Sequence, residues 1–443
     1  MSPLVPLVMV AWVPLVLALF AFLPARRALL VALTGGWLFL PVATFHIEGW
    51  PDVDKLLLTS LPPLAAVFLW DRPRLLAFRP SWLDLPVLCF CLTPLATALL
   101  QHQGWHEALS AAFWQTVRWA LPYLYGRLYF HDTDGLRALA HGIFLGGLVY
   151  VPLCLYEMVA GPDLHRMLYG FFPHNVLQAY RLGGWRPAVF QHMGIMTALW
   201  MTAASLAGLW AHRARPRIVA GLVLTTIAMR SVNAWGLLTF LSLPLALPAR
   251  LRRLTLLLTC LLAIAVPVTL RITGLFSGQT LVRLLEPLSA EKAQSIRYRL
   301  ENEDRAIANV RPRALFGLGR GDQVFVVPQW PRRLVLDSLW VLVYAQWGLA
   351  GLAGLCGTLL LPVVCFLRAL PAPRWHDAVY EPAAALAVIV IAAMLDNLFN
   401  DMGSPIYTAA AGGLAAFSMA LRRHPDPHPS EPRPPLHIPH IQQ

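Results

Sequence analysis

The chain has 443 residues, 57% hydrophobic and only 13% charged. That composition excludes a soluble multidomain protein, because many apolar runs are long enough to cross a hydrocarbon core of about 30 Å. The formal charge of +12 sits mostly as arginine in short loops between those runs, where it sets membrane orientation, so it does not imply nucleic acid as a partner.

The apolar runs predict an all-α, polytopic transmembrane bundle of about 12 or 13 spans. In chain order these lie near 4–23, 28–46, 56–70, 84–100, 107–129, 138–158, 193–211, 218–230, 235–249, 254–272, 340–368, 381–399 and 408–421. The first run, from Leu4 to Leu23, lacks a basic leader and a small-x-small cleavage site, and reads as a helix instead of a signal peptide. Alternate loops carry Arg26/Arg27, Arg72/Arg74/Arg79, Arg127/Arg137, Arg213/Arg215/Arg217, Arg250/Arg252/Arg253, Arg368/Arg374 and Arg422/Arg423. By the positive-inside rule those loops face the cytoplasm. The cysteines Cys89, Cys91, Cys154, Cys260, Cys356 and Cys365 all fall in apolar runs and read as small buried hydrophobes. Residues 1–423 form one membrane domain with a loop of 273–338 inserted, and the Pro- and His-rich tail 424–443 is expected to be disordered.

Two long loops lie on the opposite side, from about Gly161 to His192 and from about Ile272 to Leu339. The second holds Arg283, Arg297, Arg299, Arg305, Arg311, Arg313, Arg320, Arg332 and Arg333, on the face that the rule keeps poor in arginine. An anionic ligand outside the cytoplasm gives those arginines a purpose. Ser289 is placed to cap a helix over Ala290–Val310, with Glu291 in its first turn. Ile296, Leu300, Ile307 and Val310 form one stripe on that helix; Glu303 falls inside the stripe and Arg299 at its edge. Arg299 is therefore expected against the bundle with Glu303 to orient it, while Arg297 points to the side.

The turn Gly317-Leu318-Gly319-Arg320-Gly321 follows no strand and precedes no Gly-Lys-Ser/Thr helix start, so it reads as a tight reversal and not as a phosphate loop. Asp337 opens an apolar helix that continues through Gly348 and Gly351 into a full span. It fits an N-cap, a general base, or both. Of two Asp-x-Asp spacings, Asp52/Asp54 is a weak metal candidate that Lys55 opposes, and Asp132/Asp134 reads as a helix cap. Arg186 and His192 stand where a loop enters the bundle; a His there is more often structural than catalytic. Arg230-Ser231-Val232-Asn233 makes a tight turn whose arginine either snorkels or supplies a second cation to a phosphate. Asp396, Asn397, Asn400 and Asp401 cluster near the end of the twelfth span, where polar groups face a cavity or a partner.

The hydropathy layout, with one large loop near the C-terminal third, resembles the O-antigen ligase and O-antigen polymerase superfamily. The local likeness is an arginine, a Gly-x-Gly turn about eighteen residues on, then a residue pair, nine residues and Gly-x-x-Gly; here these are Arg299, Gly317/Gly319, Asp337-Ser338 and Gly348/Gly351. The segment from Arg186 to His192 is similar to the family's approach to its central span. The resemblance implies a glycosyltransferase bundle of the C type in the bacterial inner membrane, with its site facing the periplasm. Such a protein takes glycan from undecaprenyl pyrophosphate and passes it to the hydroxyl of an acceptor glycan, with arginines in place of a metal and no cofactor. Arg299, Arg230, Arg186, Arg320, Arg297 and His192 would then bind substrate, and Asp337 would be the base. The ligase pattern has His where this chain has Asp337, which favours polymerisation of repeat units over ligation to lipid A core or protein. A lipid-linked oligosaccharide transporter is a further reading, opposed by the lack of an internal repeat. Besides the lipid bilayer, other polysaccharide export proteins are expected partners.

Overall fold

The computed structural model describes residues 1–423 apart from 50, 214, 266–269, 276–281, 284–289 and 328–331. In hydrocarbon every backbone N–H and C=O must pair inside its own segment, so apolar runs become helices. Each apolar run read from the sequence is helical over most of its described residues; the run 28–46 leaves its helix at Phe39. Apart from two short turns of helix, Arg72–Leu76 and Leu164–Tyr169, the helices are α1 (Leu4–Phe22), α2 (Ala25–Phe39), α3 (Lys55–Trp70), α4 (Leu85–Leu100), α5 (Trp105–Gln115), α6 (Leu121–Tyr129), α7 (Thr133–Ala160) and α8 (Gly194–Ala211). They continue with α9 (Pro216–Ala228), α10 (Val232–Ala246), α11 (Ala249–Ala265), α12 (Ala290–Val310), α13 (Leu339–Ala369), α14 (Glu381–Asp396) and α15 (Pro405–Arg423). Among the described residues, strand is confined to two short antiparallel pairs, Thr44–Phe45 with Val53–Asp54 and Tyr180–Arg181 with Gly184–Trp185.

Among the described residues, five helical segments are long and apolar enough to cross a membrane: Leu4–Phe22, Trp82–Leu100, Thr133–Ala160, Gly194–Ala211 and Leu339–Ala369. Lys55–Trp70, Pro216–Ala228 and Val232–Ala246 are shorter apolar helices. At the centre lies α14, buried along its length from Pro382 to Met394. Toward the outside, Leu7, Val10, Leu92, Leu155 and Val159 present an apolar surface, the arrangement expected of a bundle solvated by lipid. The crossing of α6 on α15 relies on Gly126, Gly412 and Gly413, where a Cβ would overlap the facing backbone.

Two runs depart from simple spans. Run 107–129 is α5 and α6 joined by a π-helical turn, Thr116–Ala120. Run 340–368 is α13, and it is broken at Gly348, whose φ of 63° and ψ of −159° are not helical. Cys89 is exposed, against the expectation that all six cysteines are buried; the other five are buried. Its helix face looks outward, where a thiol meets lipid as readily as a protein interior.

The arginine loops gather at one end of the bundle. Arg26 pairs with Asp132 at 2.7 Å, Arg74 donates to the Leu128 carbonyl, and Arg127 pairs with Asp84 at 2.8 Å. Arg137 reaches the Ala378 carbonyl and Arg252 bonds His376. The segment 161–192 and the described residues of 270–338 lie at the other end, called here the loop end. The Lys55 ammonium donates to the Phe190 carbonyl (2.8 Å) and Asn302 bonds the Val335 amide (3.3 Å) there. The tail 424–443, Ser289 and the Glu291 side chain lie outside the described residues.

Candidate functional site

The loop end is organised by the break in α13. A broken helix exposes carbonyls at the end of its first half and N–H groups at the start of its second, and both sets need partners. The glycine segment supplies them. The amides of Leu318 and Gly319 donate to the carbonyls of Ala345 (2.9 Å) and Gln346 (2.8 Å), while those of Leu349 and Ala350 donate to the carbonyls of Ala314 (2.8 Å) and Leu315 (3.0 Å). Backbone thus lies directly on backbone. Gly317 (φ 69°) has room for no Cβ, which would stand 2.6 Å from the Gln346 carbonyl, and Gly348 is equally confined by Ala314 and Leu315. The segment read as a tight reversal is a clamp, closed further by Thr97 on the Phe316 carbonyl (2.6 Å) and Gln101 on the Gly317 carbonyl (3.1 Å).

The half-helix Leu339–Trp347 carries Asp337 and Ser338 at its start. Its first free amides do not use a side-chain cap: Leu339 donates to the carbonyl of Asn400 (3.2 Å) and Trp340 to that of Asn397 (3.4 Å). The N-cap position belongs to Ser338, which makes no capping bond. The capping role proposed for Asp337 is therefore not the one it plays. Its carboxylate pairs instead with the Arg299 guanidinium at 3.1 Å, both groups partly exposed at 39% and 46%. The orienting partner read for Arg299, Glu303, feels the Arg299 charge but makes its direct contacts elsewhere. It accepts from the Ser338 hydroxyl and from Arg271 (3.1 Å), and Arg271 also holds Asp304 at 2.9 Å. Burial pushes the Glu303 carboxyl above its usual range, against the Ser338 hydrogen bond and the Arg271 charge. The stripe itself forms, with Ile307 and Val310 buried, and Arg297 is exposed beside it.

A second arginine pair lies across the loop end. Arg230 occupies the left-handed region at φ 55°, an uncommon position for a residue with a side chain. It donates to the Leu182 carbonyl (3.3 Å), and Arg186 donates to the Arg230 carbonyl (3.4 Å). Among the described residues neither has a carboxylate within ion-pair distance, and the Arg186 Nε is buried without a hydrogen-bond partner. Burial, and then Arg181, hold the Arg186 guanidinium below its usual pKa. His192 is exposed at the same entrance, its pKa lowered by partial burial and then by Lys55.

The two arginine groups are joined through α14. Asn233, in the turn after Arg230, donates to the Asp396 carboxylate, and Asn400 donates to the same oxygen at 3.0 Å. Asn400 then receives the Leu339 amide, two residues past Asp337. Asp401 pairs with Arg118, a cation of the π-helical turn that no sequence motif had singled out. Its only signal was an arginine inside an apolar run.

Arg320 does not join Asp337 and Arg299. It lines a separate cavity of about 550 Å³ whose wall contains neither of them. The weak metal candidate divides: Asp54 caps α3 through the Leu57 amide (2.8 Å), and Asp52 pairs with His46 at 2.7 Å. Asp132 caps α7 through Gly135 (2.6 Å), as read. No family model matches the chain, and no curated protein matches it either.

Proposed function

We propose that the chain is a glycosyltransferase of the C type that polymerises undecaprenyl-pyrophosphate-linked repeat units into exopolysaccharide or O-antigen. In this reading the arginine-loop end faces the cytoplasm of a bacterial inner membrane and the loop end faces the periplasm. The observation that carries it is the Arg299–Asp337 pair, 3.1 Å apart at the loop end. Its carboxylate is free of capping duty, and Arg186 and Arg230 stand at the loop end with no carboxylate partner among the described residues.

The chemistry asks for two things. A developing charge on the leaving pyrophosphate needs cations, and the acceptor hydroxyl needs a base. The donor pyrophosphate draws Arg299 away from Asp337, with Arg230 as second cation and Arg186 beside it. Asp337 takes the proton of the acceptor hydroxyl as that oxygen bonds the anomeric carbon. The bond from that carbon to the pyrophosphate oxygen breaks, and lipid pyrophosphate leaves with the electron pair. A positioned base of this kind contributes about 10²–10⁴-fold in rate.

The test is polymer length in cells that carry Asp337→Ala or Arg299→Ala at wild-type membrane levels. Loss of long chains with accumulation of single lipid-linked repeat units is expected. Unchanged long chains would overturn the assignment. Accumulation of long lipid-linked polymer would replace it with a ligase, and retention of repeat units on the cytoplasmic leaflet with a transporter.

A further inference from the structure

The cavity at Arg320 lies between the segment after the glycine clamp and the start of α5, and it stays open in the folded chain. Its volume of about 550 Å³ is within the range of small-molecule sites, about 300–1,000 Å³. Its wall mixes charges of both signs with two aromatic rings, and that mixture constrains the occupant.

Several of the charges are already satisfied. Arg333 pairs with Asp322 at 2.8 Å and lies over the Phe325 ring at 4.9 Å, and Asp52 is engaged by His46. Arg320 and Glu107 have no ion-pair partner among the described residues. Between them they offer a planar fork of donors and a pair of acceptor oxygens, and Ser110 and Gln346 add groups that both donate and accept. Trp114, half-buried, supplies an apolar face. A hydrocarbon ligand would leave these polar groups unpaired, which is costly. A strongly anionic ligand would meet Asp52, Glu107 and Asp322, and a cation would meet Arg320 and Arg333. A polyhydroxyl ring fits all of them, since each hydroxyl donates and accepts and the ring's C–H face covers an aromatic side chain.

The cavity also stands at a useful distance from the Arg299–Asp337 pair. Gln346 in its wall and Asp337 lie at opposite ends of one half-helix, and Leu339 to Gln346 spans roughly 10 Å at 1.5 Å per residue. A short oligosaccharide covers that distance.

We infer that this cavity is a glycan-binding subsite, in which Arg320, Glu107 and Trp114 hold a sugar of the substrate chain some residues away from the reacting carbon. The inference rests on the glycosyltransferase reading for the role of the bound glycan, and it moves Arg320 from the pyrophosphate to the sugar. The experiment applies the purified full chain in nanodiscs to an array of bacterial oligosaccharides, then measures affinity for the strongest binder. Wild type and Asp337→Ala should bind alike, while Glu107→Gln and Arg320→Gln should each weaken binding about tenfold, the loss of one charged hydrogen bond. Trp114→Ala should weaken binding and Trp114→Phe restore most of it, which separates lost stacking from misfolding. No bound glycan, or equal binding by all variants, overturns the subsite. Loss of polymer in Asp337→Ala together with wild-type glycan binding by Glu107→Gln and Arg320→Gln would sink the subsite and leave the polymerase reading standing. Normal polymer in Asp337→Ala with glycan bound at Arg320 would do the reverse.

Discussion

Replacing Gly348 by alanine perturbs the clamp at its tightest point. At φ 63° and ψ −159° this residue lies in a region that is essentially reserved for glycine, and an L-residue there costs about 1–3 kcal/mol. A Cβ would in addition stand 2.5 Å from the Ala314 and Leu315 carbonyl oxygens, so the glycine segment must retreat from the helix break. Full retreat gives up the four backbone hydrogen bonds made by the amides of Leu318, Gly319, Leu349 and Ala350. At about 1 kcal/mol net each, with the strain added, the loss is about 5–7 kcal/mol. That is comparable to the total stability of many domains, about 5–15 kcal/mol, so the clamp should open locally before the bundle unfolds.

Hydrogen exchange read by mass spectrometry reports this directly. Gly348→Ala should speed exchange in peptides covering 314–320 and 345–351 and leave α14 protected. Gly221→Ala is the control, because nothing lies within 4 Å of a Cβ there and its helical position favours alanine by up to about 1 kcal/mol. If Gly348→Ala exchanges like wild type in both peptides and melts with Gly221→Ala, the clamp is not what holds the half-helix.

His165 is buried, its ring bonded to the Phe171 carbonyl (2.9 Å) and accepting from the Val42 amide (3.1 Å), and burial is the main cause that pushes its pKa down to about 4. Because the folded state resists a proton that the unfolded chain takes near 6.5, its contribution is full above pH 6.5 and falls away toward pH 4, by at most about 3 kcal/mol. The apparent melting temperature should drop over that window in wild type and less in His165→Gln; equal slopes would exclude this origin. Asp396→Leu should cost about 1–3 kcal/mol for each of the Asn233 and Asn400 amides left unpaired, whereas Asp396→Asn keeps an acceptor and should melt near wild type. Equal melting of the two variants would mean that the α10–α14 tie carries no stability.

The helices were legible in the sequence because hydrocarbon leaves a long apolar run few other conformations. The clustering of the arginine loops was legible for a similar reason, since charge must collect where water is. What stayed hidden was long-range pairing. Gly317 and Gly348 were visible as glycines, but not that Gly317 makes room for the backbone at Gln346 and Gly348, and Gly348 for that of Ala314 and Leu315. Asp337 looked like a cap because a carboxylate before an apolar helix satisfies its amides at short range; Asn397 and Asn400 took that work from 60 residues away. Arg118 was masked by its apolar surroundings, and its partner Asp401 lies 283 residues on. Arg320 was counted with the other arginines of its loop, and only the folded chain separates it into another cavity.

The way Asp337 is held bears on whether it could act. Its position is fixed by neighbours and not by its own side chain: the amides of Leu339 and Trp340 go to the end of α14, and the Ser338 hydroxyl goes to buried Glu303. That leaves the Asp337 carboxylate with Arg299 as its ion-pair partner, and a pair exposed to 39% and 46% is worth only about 0–1 kcal/mol. The Arg271 guanidinium, buried between Glu303 and Asp304, cannot be parted so easily, because removing its partner would leave an uncompensated charge out of water. The two pairs on α12 therefore divide the work. The buried one ties α12 to the segment at Arg271 while Glu303 also holds the Ser338 hydroxyl, and the exposed one can be parted at little cost by an anion that binds arginine bidentately, as a phosphate does. Asp337 would then remain in place with its carboxylate released, which is the condition a general base requires.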